Sequence, residues 1–255
     1  MNWIVLEDFE KNESSQYLLD SNKSAHVKNI LGKKIGDSIK VILPSISKGY
    51  SRILSFPEDK VLIDKPTLGE KLHHYEINKL SEKMKVLSKV RLILPLPRPQ
   101  TGKKILHLIG CFGVAQVVFL LPQSHNKQFL TSPVYKTSGI WNEIKTGMEQ
   151  SGSFLVPKVQ IVHLNLKEYL ERSKVACKIS LDPSMEDSFY DLETFEYVSR
   201  QEEIGIEVYF GSESGNSRED IDLLSKMSKC YSLGDTILRS EYAIANVLGI
   251  LKSKG

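Results

Sequence analysis

Two short segments of this chain combine small residues, hydroxyls and charge as a ligand-binding turn requires. The first is Phe210-Gly211-Ser212-Glu213-Ser214-Gly215, followed by Asn216 to Ile221. Gly211 and Gly215 let backbone approach a ligand closely. Ser217 and Asp220 have capping-box spacing, with Asp in place of Glu, so a helix should start there. An ordinary strand–turn–helix connection would read the same way. The segment is not a nucleophile elbow, because Glu213 stands where the serine would be. Nor is it a P-loop or a G-x-G-x-x-G turn. The second segment runs from Leu233 and Gly234 through Asp235, Thr236, Ile237, Leu238, Arg239, Ser240, Glu241 and Tyr242 to Ala243. Here a glycine follows a strand, and a polar stretch enters an apolar helix. Glu241 suits the helix dipole and Arg239 opposes it. Arg239 therefore either holds an acidic partner in the core or faces a phosphate or a nucleobase.

Both turns must be positioned by a strand before and a helix after. In open parallel sheets, ligands bind beyond the carboxyl ends of strands. The pattern from His73 onward predicts such a sheet. Strands are expected at Val90–Leu94, Val114–Leu121, Gln160–His163, Val175–Ile179, Ile204–Phe210 and Tyr231–Leu233. Helices are expected at Lys103–Phe112, Ile140–Gln150, Leu166–Ser173, Ser217–Met227 and Ile237–Leu251. Several strands are apolar throughout, as in a mostly parallel sheet covered on both faces. Residues 1–72 read differently. Short strands at Ser38–Leu43, Gly49–Leu54 and Lys60–Asp64, broken by prolines, suggest a small β-barrel or sandwich. One short helix, Ser24–Leu31, ends at Gly32.

Composition is that of a globular protein: 255 residues, 41% hydrophobic and 25% charged, enough for a sizeable core. The net charge of +3 hides an asymmetry. Lys79 to Lys104 holds eight basic residues and one acidic, whereas Asp182 to Glu207 holds nine acidic and one basic. That points to a polyanionic partner or to two solvated faces. Cys111, Cys177 and Cys230 are scattered, which argues against a disulfide framework or zinc site and for a reducing compartment. No signal pattern opens the chain and no apolar run approaches the ~20 residues of a membrane helix, so a cytoplasmic protein without membrane or metal is expected.

The motifs resemble those of the knotted, S-adenosylmethionine-dependent RNA methyltransferases of the RsmE type. These methylate N3 of a uridine in small-subunit ribosomal RNA. The family's I-G-P-E-G-G-F-S-x-x-E-I aligns without a gap on Phe210 to Ile221, and its L-G-x-R-I-L-R-x-E-T-A on Leu233 to Ala243. Its proline–lysine strand end, E-L-G-V and A-x-E-Q-S-G-R are similar to Pro97-Arg98, Cys111–Val114 and Gly147–Ser153. Its H-x-x-x-V-L-R and G-D resemble His26–Leu31 and Gly36-Asp37. The departures are Ser212 and Ser214 for Pro and Gly, Thr236 and Ser153 for Arg, Tyr242 for Thr, Cys111 for Glu and Leu108 for Lys.

The resemblance implies a PUA-like β-barrel at 1–72 and a SPOUT-type, trefoil-knotted α/β domain at 73–255. Phe210, Gly211, Ser212, Glu213, Gly215, Leu233, Gly234, Ile237 and Leu238 would bind the donor S-adenosylmethionine. Arg239 and Glu241 would sit by the target base, with Glu241 either the base or an anchor for Arg239. On electrostatic grounds the basic run Lys79 to Lys104, together with Lys23, Lys28, Lys33, Lys34 and Lys40, should form much of an RNA-facing surface, and Arg98 and Tyr242 would also meet RNA. A homodimer is implied, and the apolar face of the last helix, from Ala243 and Ile244 to Val247, Leu248 and Leu251, could supply its contact or pack on its own sheet. The substitutions leave two alternatives: a non-catalytic RNA-binding protein of the same fold, and a methyltransferase of that fold with another RNA target.

Overall fold

The computed structural model describes residues 3–67, 86–122, 127–192 and 204–253. The expected domain boundary near residue 72 lies outside them, as do Lys79, Lys83 and Lys85 of the basic run and Glu193, Glu196, Glu202 and Glu203 of the acidic one.

The amino-terminal strands are β1 (Trp3–Val5), β2 (Tyr17–Leu18), β3 (Ser38–Leu43), β4 (Ser47–Ser55) and β5 (Leu62–Ile63). They form one sheet in the order β1-β3-β4-β5-β2, with β1 parallel to β3 and the other pairs antiparallel. Among the described residues β1 and β2 are its edges. Alternation along β3 sends Ile39 and Val41 into a small core with Leu19, Val27 and Ile53. Ile42 faces the other way, into the larger core with Val5. The short helix starts earlier than predicted. In α1 (Ser21–Ala25) the Asp20 carboxylate accepts the Lys23 N–H at 2.9 Å as an N-cap, and a wider π-helical turn continues over His26–Ile30.

The rest of the chain alternates strand and helix. The elements are β6 (Val90–Pro95), α2 (Pro99–Phe112), β7 (Gln116–Leu120), α3 (Thr137–Ser151), β8 (Lys158–Val162), α4 (Leu166–Arg172), β9 (Cys177–Leu181), β10 (Ile206–Tyr209), α5 (Arg218–Met227), β11 (Lys229–Tyr231) and α6 (Ser240–Ser253). The sheet order is β11-β9-β10-β6-β7-β8, and every neighbouring pair is parallel. Each predicted strand and helix is present with ends shifted by a few residues. The largest consequence is at the carboxyl end. Strand β11 stops at Tyr231 and α6 starts at Ser240, so the intervening residues form a longer loop than expected.

Successive residues of the central strands enter opposite cores. Leu92, Leu94, Val117, Phe119 and Val208 pack with Ile105, Leu106 and Ile109 of α2 and Ile144 and Met148 of α3. Ile93, Val118, Leu120 and Tyr209 pack on the other face with Leu170 of α4 and Leu224 of α5. Helices α2 and α3 touch backbone to backbone: a Cβ on Gly110 would stand 2.3 Å from the Ile144 carbonyl oxygen, and one on Gly147 2.1 Å from that of His107. The apolar face of α6 is consumed in the same core, since Ile244, Val247, Leu248 and Leu251 are fully buried within the chain. Those four side chains pack on their own core, the second of the two expectations, while Ala243 is only partly buried.

A polar cluster fastens the smaller sheet to α3. The Glu7 carboxylate accepts from Trp141 Nε1 at 2.8 Å and pairs with Lys23 at 2.9 Å and Lys145 at 3.4 Å. Burial disfavours the Glu7 charge, but the Trp141 and Lys23 hydrogen bonds outweigh it and hold its pKa below the usual value. Lys23 also meets Glu10 at 2.7 Å and is itself buried. Expected on an RNA-facing surface, Lys23 instead belongs to this interior network, because three acidic neighbours compete successfully with solvent for its ammonium.

Candidate functional site

Four strand ends open on one cleft of about 880 Å3. Strand β6 delivers Arg98 to Thr101, β9 delivers Asp182 and Pro183, β10 delivers the first glycine turn, and β11 delivers the second. This is the carboxyl edge of a parallel sheet, where the topology places ligands. The volume falls in the roughly 300–1,000 Å3 range of small-molecule sites.

The first turn is closed by its own backbone. Gly215 N–H donates to the Ser212 carbonyl at 2.9 Å, and Ser212 Oγ donates to the Gly215 carbonyl at 2.7 Å. Ser217 caps α5 by accepting the Asp220 N–H at 3.1 Å. The capping box is only half formed: Asp220 takes the Ser217 hydroxyl at 2.8 Å, its side chain being shorter than the usual glutamate. Glu213 leans across to the start of α2, pairing with Arg98 Nε at 3.1 Å and accepting from Thr101 Oγ1 at 2.7 Å.

In the second turn Gly234 has φ +96°, a conformation that disfavours any side chain, and its N–H donates to Ser232 Oγ at 3.1 Å. A Cβ there would meet nothing within 4 Å; it would enter the open cleft. Farther along, Glu241 is buried in the first turn of α6 and bonded to Lys104 Nζ of α2 at 3.0 Å. Burial opposes its charge, but its own backbone N–H, Lys104 and the field of Arg239 together hold its pKa below the ordinary carboxylate value. Arg239 is exposed, and its guanidinium has no hydrogen bond or ion pair among the described residues.

All the residues expected at the donor line this cleft: Phe210, Gly211, Ser212, Glu213 and Gly215 from one turn, and Leu233, Gly234, Ile237 and Leu238 from the other. Arg98, Arg239 and Glu241 line it too. Tyr242 does not; it is 57% exposed on the outer side of α6. Lys28, Lys33 and Lys34 lie elsewhere, on the smaller sheet's side, and Lys28 is engaged with the Asp59 carboxylate and carbonyl. Lys40 stands 5.5 Å from the Trp3 ring centroid.

Sequence reasoning missed Asp182, Asn216, Thr101 and Phe129, which also line the cleft. Asp182 has no glycine to mark it and stands three residues past the expected strand end at Ile179, within a stretch read only as an acidic block; the observed strand runs on to Leu181 and so delivers it to the cleft. Its Oδ2 accepts from Asn216 Nδ2 at 3.1 Å, and its Oδ1 from Ser184 N–H and Oγ at 3.0 and 2.6 Å. Burial pushes its pKa up, yet these hydrogen bonds prevail and leave it below the usual value. Gly211 makes the Asn216 contact feasible: a Cβ there would press on Asn216 Oδ1 at 2.9 Å.

The chain matches the family model described as "RNA methyltransferase domain" over residues 83–252. It is 24% identical over 240 residues to a ribosomal RNA small subunit methyltransferase E 1 of Borreliella burgdorferi, covering 92% of each chain. Its fold is similar to that of a ribosomal RNA small subunit methyltransferase E from Neisseria gonorrhoeae solved with S-adenosyl methionine, at TM-score 0.70 and 16% identity over 99% of this chain and 97% of that one. It is also similar to a Legionella pneumophila methyltransferase structure with bound SAM, at TM-score 0.69, 20% identity and the same coverage.

Proposed function

This chain belongs to the RNA methyltransferase domain family, and from that premise we propose that it transfers a methyl group from S-adenosylmethionine to N3 of a uridine in small-subunit ribosomal RNA. The observation that carries the reading is the cleft itself, formed by the two glycine turns at the carboxyl ends of β10 and β11. Its open space at Gly234 and its volume leave room for a nucleoside-sized ligand.

When bound, the donor supplies a methyl group already activated on a sulfonium. The chain's contribution is then orientation and electrostatics. Backbone from Phe210 to Gly215 and from Leu233 to Leu238 cradles the adenosine and methionine parts. Arg239, exposed and unpaired among the described residues, offers a positive charge where the uridine becomes anionic as its N3 proton passes to solvent water. Glu241 keeps its own charge through Lys104. That suits a field-setting role beside Arg239 better than proton abstraction, because a carboxylate with a depressed pKa is a weak base.

RNA lies across Arg98, Lys33, Lys34 and Tyr242 in this reading, with the smaller sheet acting as a PUA-like module. A trefoil-knotted path through the loops after β9, β10 and β11 is part of this reading. A homodimer would use the cleft-mouth surface bearing Ile237, which is 82% exposed, in place of the buried face of α6.

A second reading, an RNA-binding protein without catalysis, draws on Cys111 and Ser153, which replace charged residues of the resembled family. The Cys111 thiol donates to the Gly147 carbonyl at 3.3 Å, and Ser153 Oγ is buried without a hydrogen-bond partner among the described residues. Mass spectrometry of ribosomal RNA nucleosides from a deletion strain separates the readings. Loss of N3-methyluridine from the small subunit is expected. Unchanged nucleosides, with donor binding intact in calorimetry, would favour the non-catalytic protein, and loss of a methyl group elsewhere would redirect the target.

A further inference from the structure

The charged side chains that line the cleft are not evenly matched. Glu213 is neutralised by Arg98 and Glu241 by Lys104. Asp182 is different. It has no ion pair among the described residues, and its carboxylate is held only by neutral donors, Asn216 Nδ2 and the Ser184 amide and hydroxyl. A carboxylate at a cleft wall, fixed in direction by neutral donors and without a counter-charge among the described residues, can attract a cationic group of a ligand. The arrangement is built across two loops, and Gly211 leaves room for it, since a Cβ there would press on the Asn216 amide at 2.9 Å.

We propose that Asp182 binds a positively charged group of the small-molecule donor, the α-ammonium or the sulfonium, and so selects a cationic nucleoside over a neutral one. The assignment rests on the donor reading given above and adds a residue to it. A carboxylate and an ammonium or sulfonium in a partly desolvated cleft attract one another more strongly than in bulk water. Exposed Arg239, on the neighbouring loop after β11, would serve the donor's carboxylate or the RNA. The two cations of the donor are distinguished by ligands lacking one or both. S-adenosylhomocysteine keeps the ammonium and lacks the sulfonium. 5′-Methylthioadenosine lacks both and retains the adenosine.

The test is calorimetry of the whole chain and of its Asp182→Asn variant with all three ligands. The isosteric amide keeps the shape of the side chain and removes its charge. Wild-type protein should bind all three, and the variant should lose on the order of tenfold or more in affinity for S-adenosylmethionine while its affinity for 5′-methylthioadenosine stays within about twofold. Parallel weakening of S-adenosylhomocysteine would assign the ammonium; an unchanged value would assign the sulfonium. Retained 5′-methylthioadenosine binding also reports an intact cleft. The proposal is overturned if the variant loses all three ligands equally, which would place Asp182 on the shared ribose or in a structural role, or if it loses none. Wild-type protein that takes none of the three would overturn the donor reading and this assignment together.

Discussion

Lys104 Nζ on α2 stands 3.0 Å from Glu241 Oε1 in the first turn of α6, tying the helix after β6 to the helix after β11 at the rim of the cleft. The pair accounts for much of why Glu241 remains ionised despite being buried. A carboxylate whose folded pKa is depressed stabilises the fold above its unfolded pKa, and that contribution disappears as pH falls through the folded value. Glu241→Gln should therefore cost about 1 kcal/mol near neutrality, a modest amount because Lys104 is half exposed. The difference from wild type should shrink toward zero as pH falls below about 4. Thermal melts of both proteins at neutral and acidic pH check this, and a difference that grows on acidification contradicts it.

Gly234 has room beside it but an unfavourable backbone for any other residue. Gly234→Val should abolish donor binding by calorimetry, since the side chain would project into the cleft. The positive φ should also cost roughly 1–3 kcal/mol of stability. A variant that is destabilised yet binds the donor normally would move the donor away from this turn.

The Lys33 and Lys34 pair follows the turn at Gly32, clear of the buried Lys23 network. Charge reversal at both should weaken RNA binding and flatten its salt dependence by about 0.7–0.9 in log–log slope for each phosphate that is no longer neutralised. Donor affinity should not change. Lys28→Ala should have a smaller effect, because Lys28 is already neutralised by Asp59. An unchanged salt titration for the double reversal would place the RNA surface elsewhere.

Glu207 is completely buried on β10, where it pairs with Arg91 at 2.8 Å and accepts from the hydroxyls of Ser173, Tyr209 and Tyr169. Beside this carboxylate, burial and the negative charge raise the Tyr209 and Tyr169 pKa values, so both remain neutral donors. Arg91→Met should cost about 3–5 kcal/mol, because it leaves a buried charge without its counter-ion. Denaturant midpoints would measure this. A small loss would mean that the three hydroxyls suffice.

The sequence by itself determined the alternation of strand and helix, the parallel sheet and the two glycine turns after strands. Those features are local: apolar runs such as Val90–Leu94, a cap at Ser217 and a glycine at 234 act over a few residues. It did not settle which charges would be free, because that depends on neighbours distant in the chain. Lys23 looked like a solvated lysine until Glu7 and Glu10 closed around it. The face of α6 from Ile244 to Leu251 could have met a second copy or its own sheet, and the packing of α2 against it decided for the sheet. Asp182 read as one acid among nine in its stretch, and only folding placed it in the cleft, 34 residues from the Asn216 that orients it. Local pattern fixes elements through backbone geometry and hydrophobic period, whereas the pairing of charges is set by the strand order β11-β9-β10-β6, which brings loops from distant parts of the chain to one edge.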